Sequence, residues 1–236
     1  MARTVLVTGA NRGIGQQVAR VLAEQGWDVL VAARDRKKGE STAARLRRDT
    51  GGRLKAVELD VTSDTSVATA AQKLRDGAIR IDALVNNAGV YRPPTLEPNF
   101  FGPLRVTLAL LPLLRDGATI TNVTSGLGAL ANLAPSEQRF LANPALTREA
   151  LVAHVREVTD EYGFSKAALN ALTRILAHEL APRQIRVNAT DPGWVRTDMG
   201  GRNAPRSIEE GAASVLFGVT ASETGGIFRN GRPIAP

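Results

Sequence analysis

The sequence predicts an α/β fold: a doubly wound parallel sheet with helices on both faces, in a single domain. Three observations carry that expectation. Short Val/Ile/Leu runs alternate with longer Ala/Leu/Arg segments, the pattern of strands feeding crossover helices. The chain has 236 residues, long for one domain and short for two, and it contains no linker composition or internal repeat. Its first apolar run is followed at once by closely spaced glycines and then by an amphipathic segment.

The opening stretch TVLVTGANRGIGQQVARVLAEQGWDVLVAARD reads as strand, tight turn, helix, strand. Gly9, Gly13 and Gly15 form a Gly-x-x-x-Gly-x-Gly pattern enclosing Asn11, Arg12 and Ile14. It lies directly after Val5-Leu6-Val7 and before a helix whose apolar face carries Val18, Val21 and Leu22. Glycine lets the chain turn sharply and lets a phosphate approach the backbone. The helix N-terminus adds unpaired N–H groups and the positive end of a dipole. The second strand is expected to end near Ala33, where an acidic residue in such folds binds the ribose 2′-hydroxyl of NAD. Here Arg34 follows an alanine, so a 2′-phosphate has a cation to meet, and Arg12 supplies a second; NADP is favoured over NAD. Asp35 either repels that phosphate or caps a helix beginning near Arg36.

LKAVELDVTS predicts a third strand ending at Asp60-Val61, and IDALVNNAG a fourth ending at Asn86-Asn87-Ala88-Gly89. Asn86 suits a structural tie between loops and sheet. Ala88 and Gly89 leave room beside the carboxyl ends of the strands, where open α/β sheets bind ligands. A fifth strand, ATITNVTS, brings Thr124 and Ser125 to the same edge. YGFSK sets Tyr162 and Lys166 four residues apart at the head of SKAALNALTRILAHELA, a helix with Ala168, Leu169, Leu172, Ile175, Leu176 and Leu180 on one broad face. An ammonium one turn from a phenol favours the phenolate. A sixth strand, QIRVNATD, leads into a turn at Pro192-Gly193. Ser207-x-x-Glu210 is a capping box that starts a helix running to about Ala221. The intervening loop 195–206, with Gly200, Gly201 and Asn203, is expected to be a mobile lid, too short to enclose a large substrate deeply.

Composition removes several function classes. The net charge of +7 is spread along the chain with no aromatic-interleaved basic patch, so no nucleic-acid partner is expected. No apolar run is long enough to cross a bilayer and no signal-peptide pattern opens the chain, which predicts a cytoplasmic protein with no membrane partner. With no cysteine, and with His154 and His178 far apart, neither thiolate chemistry nor a metal site is expected.

Taken in order, TGANRGIG, LDV, NNAG, NVTS, YGFSK and DPGWVRTDM resemble the classical short-chain dehydrogenase/reductases over nearly the whole chain. PNFFGPLRVTLALLPLL, PGWVRTDMGG and SIEEGAA look most like their carbonyl reductase branch. The resemblance implies a Rossmann-type sheet, an NADP(H) cofactor, and a small-molecule ketone, aldehyde or quinone reduced to the alcohol. It makes Tyr162 the proton donor, Lys166 its electrostatic partner and ribose ligand, Ser125 the hydroxyl that orients the carbonyl, and Asn99 the support of a water relay. It also implies cofactor contacts at Gly9, Asn11, Arg12, Gly13, Ile14, Gly15, Arg34, Asp60, Val61, Asn87, Ala88, Gly89, Tyr162, Lys166, Pro192, Gly193, Val195 and Thr197, with Val195 and Thr197 on the carboxamide and phosphates. The same groups could serve an alcohol dehydrogenase, and a fold of this kind could also be a non-catalytic NADP-binding sensor or scaffold.

Two departures from the family pattern carry expectations of their own. The segment at about 127–160 is longer than in most relatives, with helical pieces at 136–143 and 147–160; a similar insertion in monomeric carbonyl reductases covers a dimerisation face, which implies a monomer. Only VYRPPTLEP separates Gly89 from Asn99, where relatives carry another helix, so a thinner roof and a displaced Asn99 are expected.

Overall fold

The computed structural model describes residues 2–236. Seven strands run parallel, β1 (Thr4–Thr8), β2 (Asp28–Ala33), β3 (Arg53–Glu58), β4 (Ile81–Asn86), β5 (Leu114–Val123), β6 (Arg186–Thr190) and β7 (Ile227–Arg229), and β8 (Arg232–Pro233) pairs antiparallel with β7. Their spatial order is β3-β2-β1-β4-β5-β6-β7-β8. The order reverses between β1 and β4, and that reversal opens a crevice at the carboxyl ends of the two strands.

Alternation along β1 shows why both faces are covered. Val5 and Val7 enter one core with α1 (Gly13–Glu24), α2 (Arg36–Thr50) and α8 (Ile208–Thr220). Leu6 enters the other, with α3 (Asp64–Asp76), α4 (Gly102–Leu110), α5 (Pro135–Ala142), α6 (Arg148–Glu157) and α7 (Tyr162–Glu179). The apolar face read for α7 is buried throughout. Burial extends further round that helix than amphipathicity requires, because α5 and α6 close over its outer side. Leu141, Leu151 and Val155 join its core, and Arg174 donates to the Leu141 and Asn143 carbonyls at 2.9 and 2.8 Å.

Several sequence-based boundaries shift. The third strand stops at Glu58 rather than Asp60-Val61, because its partner β2 stops at Ala33 and the last ladder pair is Ala33 with Glu58. The fourth and fifth strands stop at Asn86 and Val123, leaving Asn87 to Gly89 and Thr124-Ser125 as loop at the sheet edge. The sixth strand is not the last: Asn230 and Gly231, both at positive φ, turn β7 back into β8. Asp35 is a cap, its carboxylate accepting from the Lys38 N–H at 3.0 Å. The capping box of Ser207 and Glu210 is present as read. Among the described residues, no helix is long and apolar enough to cross a membrane.

Candidate active site

The glycine turn joins β1 to α1 at the crevice. Gly9 and Gly13 hold φ of +64° and +56°, which side chains rarely adopt, and a β-carbon on Gly15 would lie 2.4 Å from Asn87 Nδ2 and 2.9 Å from the Gly9 carbonyl. The loop after β4 is fastened to the same turn. Thr8 Oγ1 accepts from the N–H groups of Asn87 and Ala88 at 2.9 and 3.0 Å, while Asn87 Nδ2 donates to the Thr8 carbonyl at 2.8 Å. Thr8, not singled out from the sequence, is therefore the pin between the two strand ends. The result is a cradle whose backbone a flat or anionic ligand can approach closely, so the residues present fit a dinucleotide.

Asn11 and Ile14 lie in this turn, the Asn11 carbonyl accepting from Gln16 Nε2 at 3.1 Å, and Ile14 packs on the α1 core. Asp60 uses one carboxylate oxygen on the Thr62 N–H and hydroxyl, with Val61 buried beside it. The two arginines differ. Arg34 is exposed with no ion-pair partner among the described residues, free to meet a 2′-phosphate. Arg12 is not free: its guanidinium pairs with Asp198 of loop 195–206 at 2.9 Å, both side chains largely exposed.

The same loop carries ties of its own. Val195 bridges Arg206, the Arg196 N–H donates to the Arg206 carbonyl, and Trp194 Nε1 donates to the Gly200 carbonyl. Thr197 comes to the cradle, its methyl carbon 3.5 Å from where a β-carbon on Gly13 would be. Pro192 and Gly193 make the turn that launches the loop, Gly193 at a φ of +75°.

The first turn of α7 presents Tyr162 and Lys166 toward the ends of β4 and β5. Lys166 is buried, and Nζ donates to the Val123 carbonyl at 2.8 Å, lying 5.9 Å from the Tyr162 ring centroid. Burial pulls its pKa down to about 8, opposed by the carboxylate of Asp191. The Tyr162 phenol is pushed above its ordinary value, chiefly by burial. The Ser125 hydroxyl favours ionisation, while Asp191 and Tyr91 oppose it. Burial thus outweighs any lowering of the phenol by Lys166, whose ammonium is turned to the β5 carbonyl. Ser125 Oγ accepts from the Leu127 N–H at 3.3 Å.

Asn99 reaches the site despite the short connection. It sits in a π-helical turn, Glu97–Phe101, that runs into α4, and a β-carbon on Gly89 would lie 2.7 Å from its Oδ1 and 3.7 Å from Lys166 Nζ. Its amide is already engaged, accepting from the Val90 N–H and donating to the Val90 carbonyl, each at 2.9 Å, and donating to Ser165 Oγ at 3.0 Å. Asn99 thus clamps the loop that stands in for the missing helix, close to Lys166. In that loop Tyr91, also not foreseen, packs edge-on against Tyr162 with ring centroids 4.8 Å apart. Asn86 is structural, donating to Thr107 Oγ1 and Asn122 Oδ1.

A phenol, a hydroxyl and a buried ammonium beside a dinucleotide cradle suit proton transfer to an oxygen on which negative charge grows. Residues 3–135 match the profile of the short chain dehydrogenase family, and residues 145–221 match the one described as enoyl-(acyl carrier protein) reductase. The chain belongs to the short-chain dehydrogenase family. Within that family it is 33% identical to carbonyl reductase (NADPH) 1 of Oryctolagus cuniculus over 91% of this chain and 90% of that protein. It is 32% identical to carbonyl reductase (NADPH) 3 of Rattus norvegicus over 92% and 90%. Among solved structures, salutaridine reductase from Papaver somniferum superposes with a TM-score of 0.88 at 26% identity, covering 96% of this chain and 99% of that one. The NADPH-bound carbonyl reductase from chicken fatty liver superposes at 0.78 with 28% identity, covering 99% of each chain.

Proposed function

We propose that this short-chain dehydrogenase is an NADP(H)-dependent oxidoreductase that reduces a ketone, aldehyde or quinone carbonyl to the alcohol, with Tyr162 as proton donor. The observation that carries the reading is the meeting of Tyr162, Ser125 and Lys166 at the strand ends that flank the glycine cradle. The relatives named above as NADPH carbonyl reductases support the same chemistry.

The cofactor would be held by the turn from Gly9 to Gly15, by Arg34 at its 2′-phosphate, by Asn87 to Gly89 beside the sheet edge, and by Val195 and Thr197 of the loop; when bound, it supplies the hydride. Ser125 donates a hydrogen bond to the substrate oxygen and fixes the carbonyl. A phenol held above its ordinary pKa stays protonated through neutrality, so Tyr162 has its proton ready as charge develops on that oxygen. Lys166, charged below pH about 8, lowers the cost of the phenolate left behind. Asn99 and Ser165 hold the loop and the first turn of α7 in register, Ser165 Oγ donating to the Tyr162 carbonyl at 2.7 Å.

Exposed side chains near the site bear on the substrate class. Apart from Leu108, the large hydrophobic side chains exposed among the described residues are Tyr91, Leu127, Trp194 and Met199. Each belongs to a loop that leaves the site: after Gly89, after Ser125, or within 192–206. They favour a carbonyl borne on an apolar or aromatic body. The insertion 127–160, which covers the outer side of α7, supports a monomer.

The test is a panel of aromatic, aliphatic and quinone carbonyls followed by NADPH absorbance, with Tyr162→Phe beside the wild type. Reduction should vanish in the variant while NADPH binding is kept. A variant that turns over at the wild-type rate removes the assignment.

A further inference from the structure

We propose that the ion pair of the buried Asp191 with Arg229 is a positioning device for the reaction, holding the turn after Ser125 and setting the charge that Tyr162 and Lys166 experience. This rests on the functional reading above; the geometry of the pair carries the hold on the turn after Ser125, and the direction of the Tyr162 and Lys166 shifts supports the charge effect. Asp191 follows the last residue of β6 and is 1% exposed. One carboxylate oxygen accepts from the Gly193 N–H at 2.7 Å; the other accepts from Arg229 Nε at 2.9 Å and also from Nη2. Its backbone N–H donates to the Phe228 carbonyl at 2.8 Å, and its carbonyl accepts from Ser214 Oγ at 2.7 Å. One residue thereby ties the ends of β6 and β7, the head of the 192–206 loop and α8.

The pair also lies against the backbone that presents Ser125. A β-carbon on Gly126 would fall 2.5 Å from Arg229 Nη2 and 3.2 Å from Asp191 Oδ2. A side chain there would have to displace the Arg229 guanidinium, so the ion pair and the turn share one space. A pair serving stability alone would be an expensive choice. Taking a carboxylate out of water is costly, and apolar residues of similar size often do as well. The position of this one explains it: the Asp191 carboxylate acts on both reacting groups, holding the Tyr162 phenol up and resisting the depression of Lys166.

The other ionisable groups around these two leave Asp191 as the buried anion. Tyr91 faces Tyr162 from the loop after β4, and Arg206 lies against Gly193 while donating to Asn230 and to the Glu210 carbonyl. Ahead of α7, Asp160 is engaged by Thr95 and Leu96, and Glu161 is exposed. Arg229 partly neutralises the field of Asp191, so the two members of the pair should act on the phenol with opposite sign.

That opposition gives the test. The chain has only two tyrosines, so in a Tyr91→Phe background the tyrosinate absorbance of the cofactor-free protein reports Tyr162 alone. Adding Asp191→Asn should move the phenol titration to lower pH. Adding Arg229→Met should move it to higher pH, because the Asp191 carboxylate loses the cation that screens it. Arg229→Lys should return it toward the parent. In the NADPH assay, the fall in kcat/KM that Lys166 sets near pH 8 should move in the same two directions. Arg229 is partly exposed and borders a cavity of about 180 Å³ shared with Ser125, so its replacement tests the idea even where Asp191→Asn does not fold. Shifts of the same sign in the two variants, or no shift in Arg229→Met, overturn the proposal. Because the phenol is read without cofactor or substrate, that result is separate from whether any carbonyl is reduced.

Discussion

Cofactor choice offers the sharpest quantitative test, because the structure gives Arg34 and Arg12 unequal parts. A charge-assisted hydrogen bond to phosphate is worth about 1.5 to 3 kcal/mol, and at an exposed site the lower figure applies. About 1.4 kcal/mol is a factor of ten in affinity. Arg34 has no ion pair to surrender, so Arg34→Ala should weaken NADPH binding about tenfold and leave NADH binding nearly unchanged. Arg12 must first leave Asp198. That pair is 69% and 76% exposed, which makes it worth about 0 to 1 kcal/mol. Arg12→Ala should therefore cost less than Arg34→Ala, and Asp198→Asn should tighten NADPH by up to about fivefold by releasing Arg12. Fluorescence titrations of both reduced cofactors against the three variants, at one fixed salt concentration, measure all of this. An Arg34→Ala that loses NADPH and NADH affinity equally would show that the arginine serves the fold and not the 2′-phosphate. A weaker NADPH complex in Asp198→Asn would mean that the Arg12 pair belongs to the bound state.

Three further outcomes follow from the geometry. Gly15→Ala puts a methyl group 2.4 Å from Asn87 Nδ2; overpacking of about 1 to 3 kcal/mol less a helix gain of up to about 1 should lower Tm by up to about 12 °C and loosen cofactor binding, and a variant that binds cofactor as the wild type does would refute the close approach. Lys166 is depressed to about 8, so below that pH both folded and unfolded chains carry its proton and the burial penalty is complete. As pH rises further the folded state sheds the proton first, and the wild type should gain stability relative to Lys166→Met between about pH 8 and its ordinary value; denaturant melts at both ends of that window check the sign. Light scattering should give the 25.1 kDa mass of one chain, and a dimer or tetramer mass would show that α5 and α6 do not block assembly through α7.

What the sequence disclosed was local, and what it withheld depends on partners. The β1 turn, the capping box at Ser207 and the apolar face of α7 are all set by residues within a few positions of one another, so spacing alone exposed them. Strand ends are not local. β3 stops at Glu58 because β2 stops at Ala33, which nothing in LKAVELDVTS records. The β7–β8 hairpin did carry a readable mark, Asn230-Gly231, but the strands on either side are too short for a periodicity to draw attention to it. Arg12 looked free because its partner Asp198 is 186 residues away. The same limit applies to the site's chemistry. The four-residue spacing of Tyr162 and Lys166 places them on one side of a helix, and from that alone the ammonium should lower the phenol. Which effect wins is decided by burial and by where Nζ points, and those come from elements distant in the chain: the β5 carbonyl of Val123 takes the ammonium, and Asp191 at the end of β6 supplies the opposing charge. The pairing of Tyr162 with Lys166 is written in YGFSK; the direction of each shift comes from the sheet beneath it.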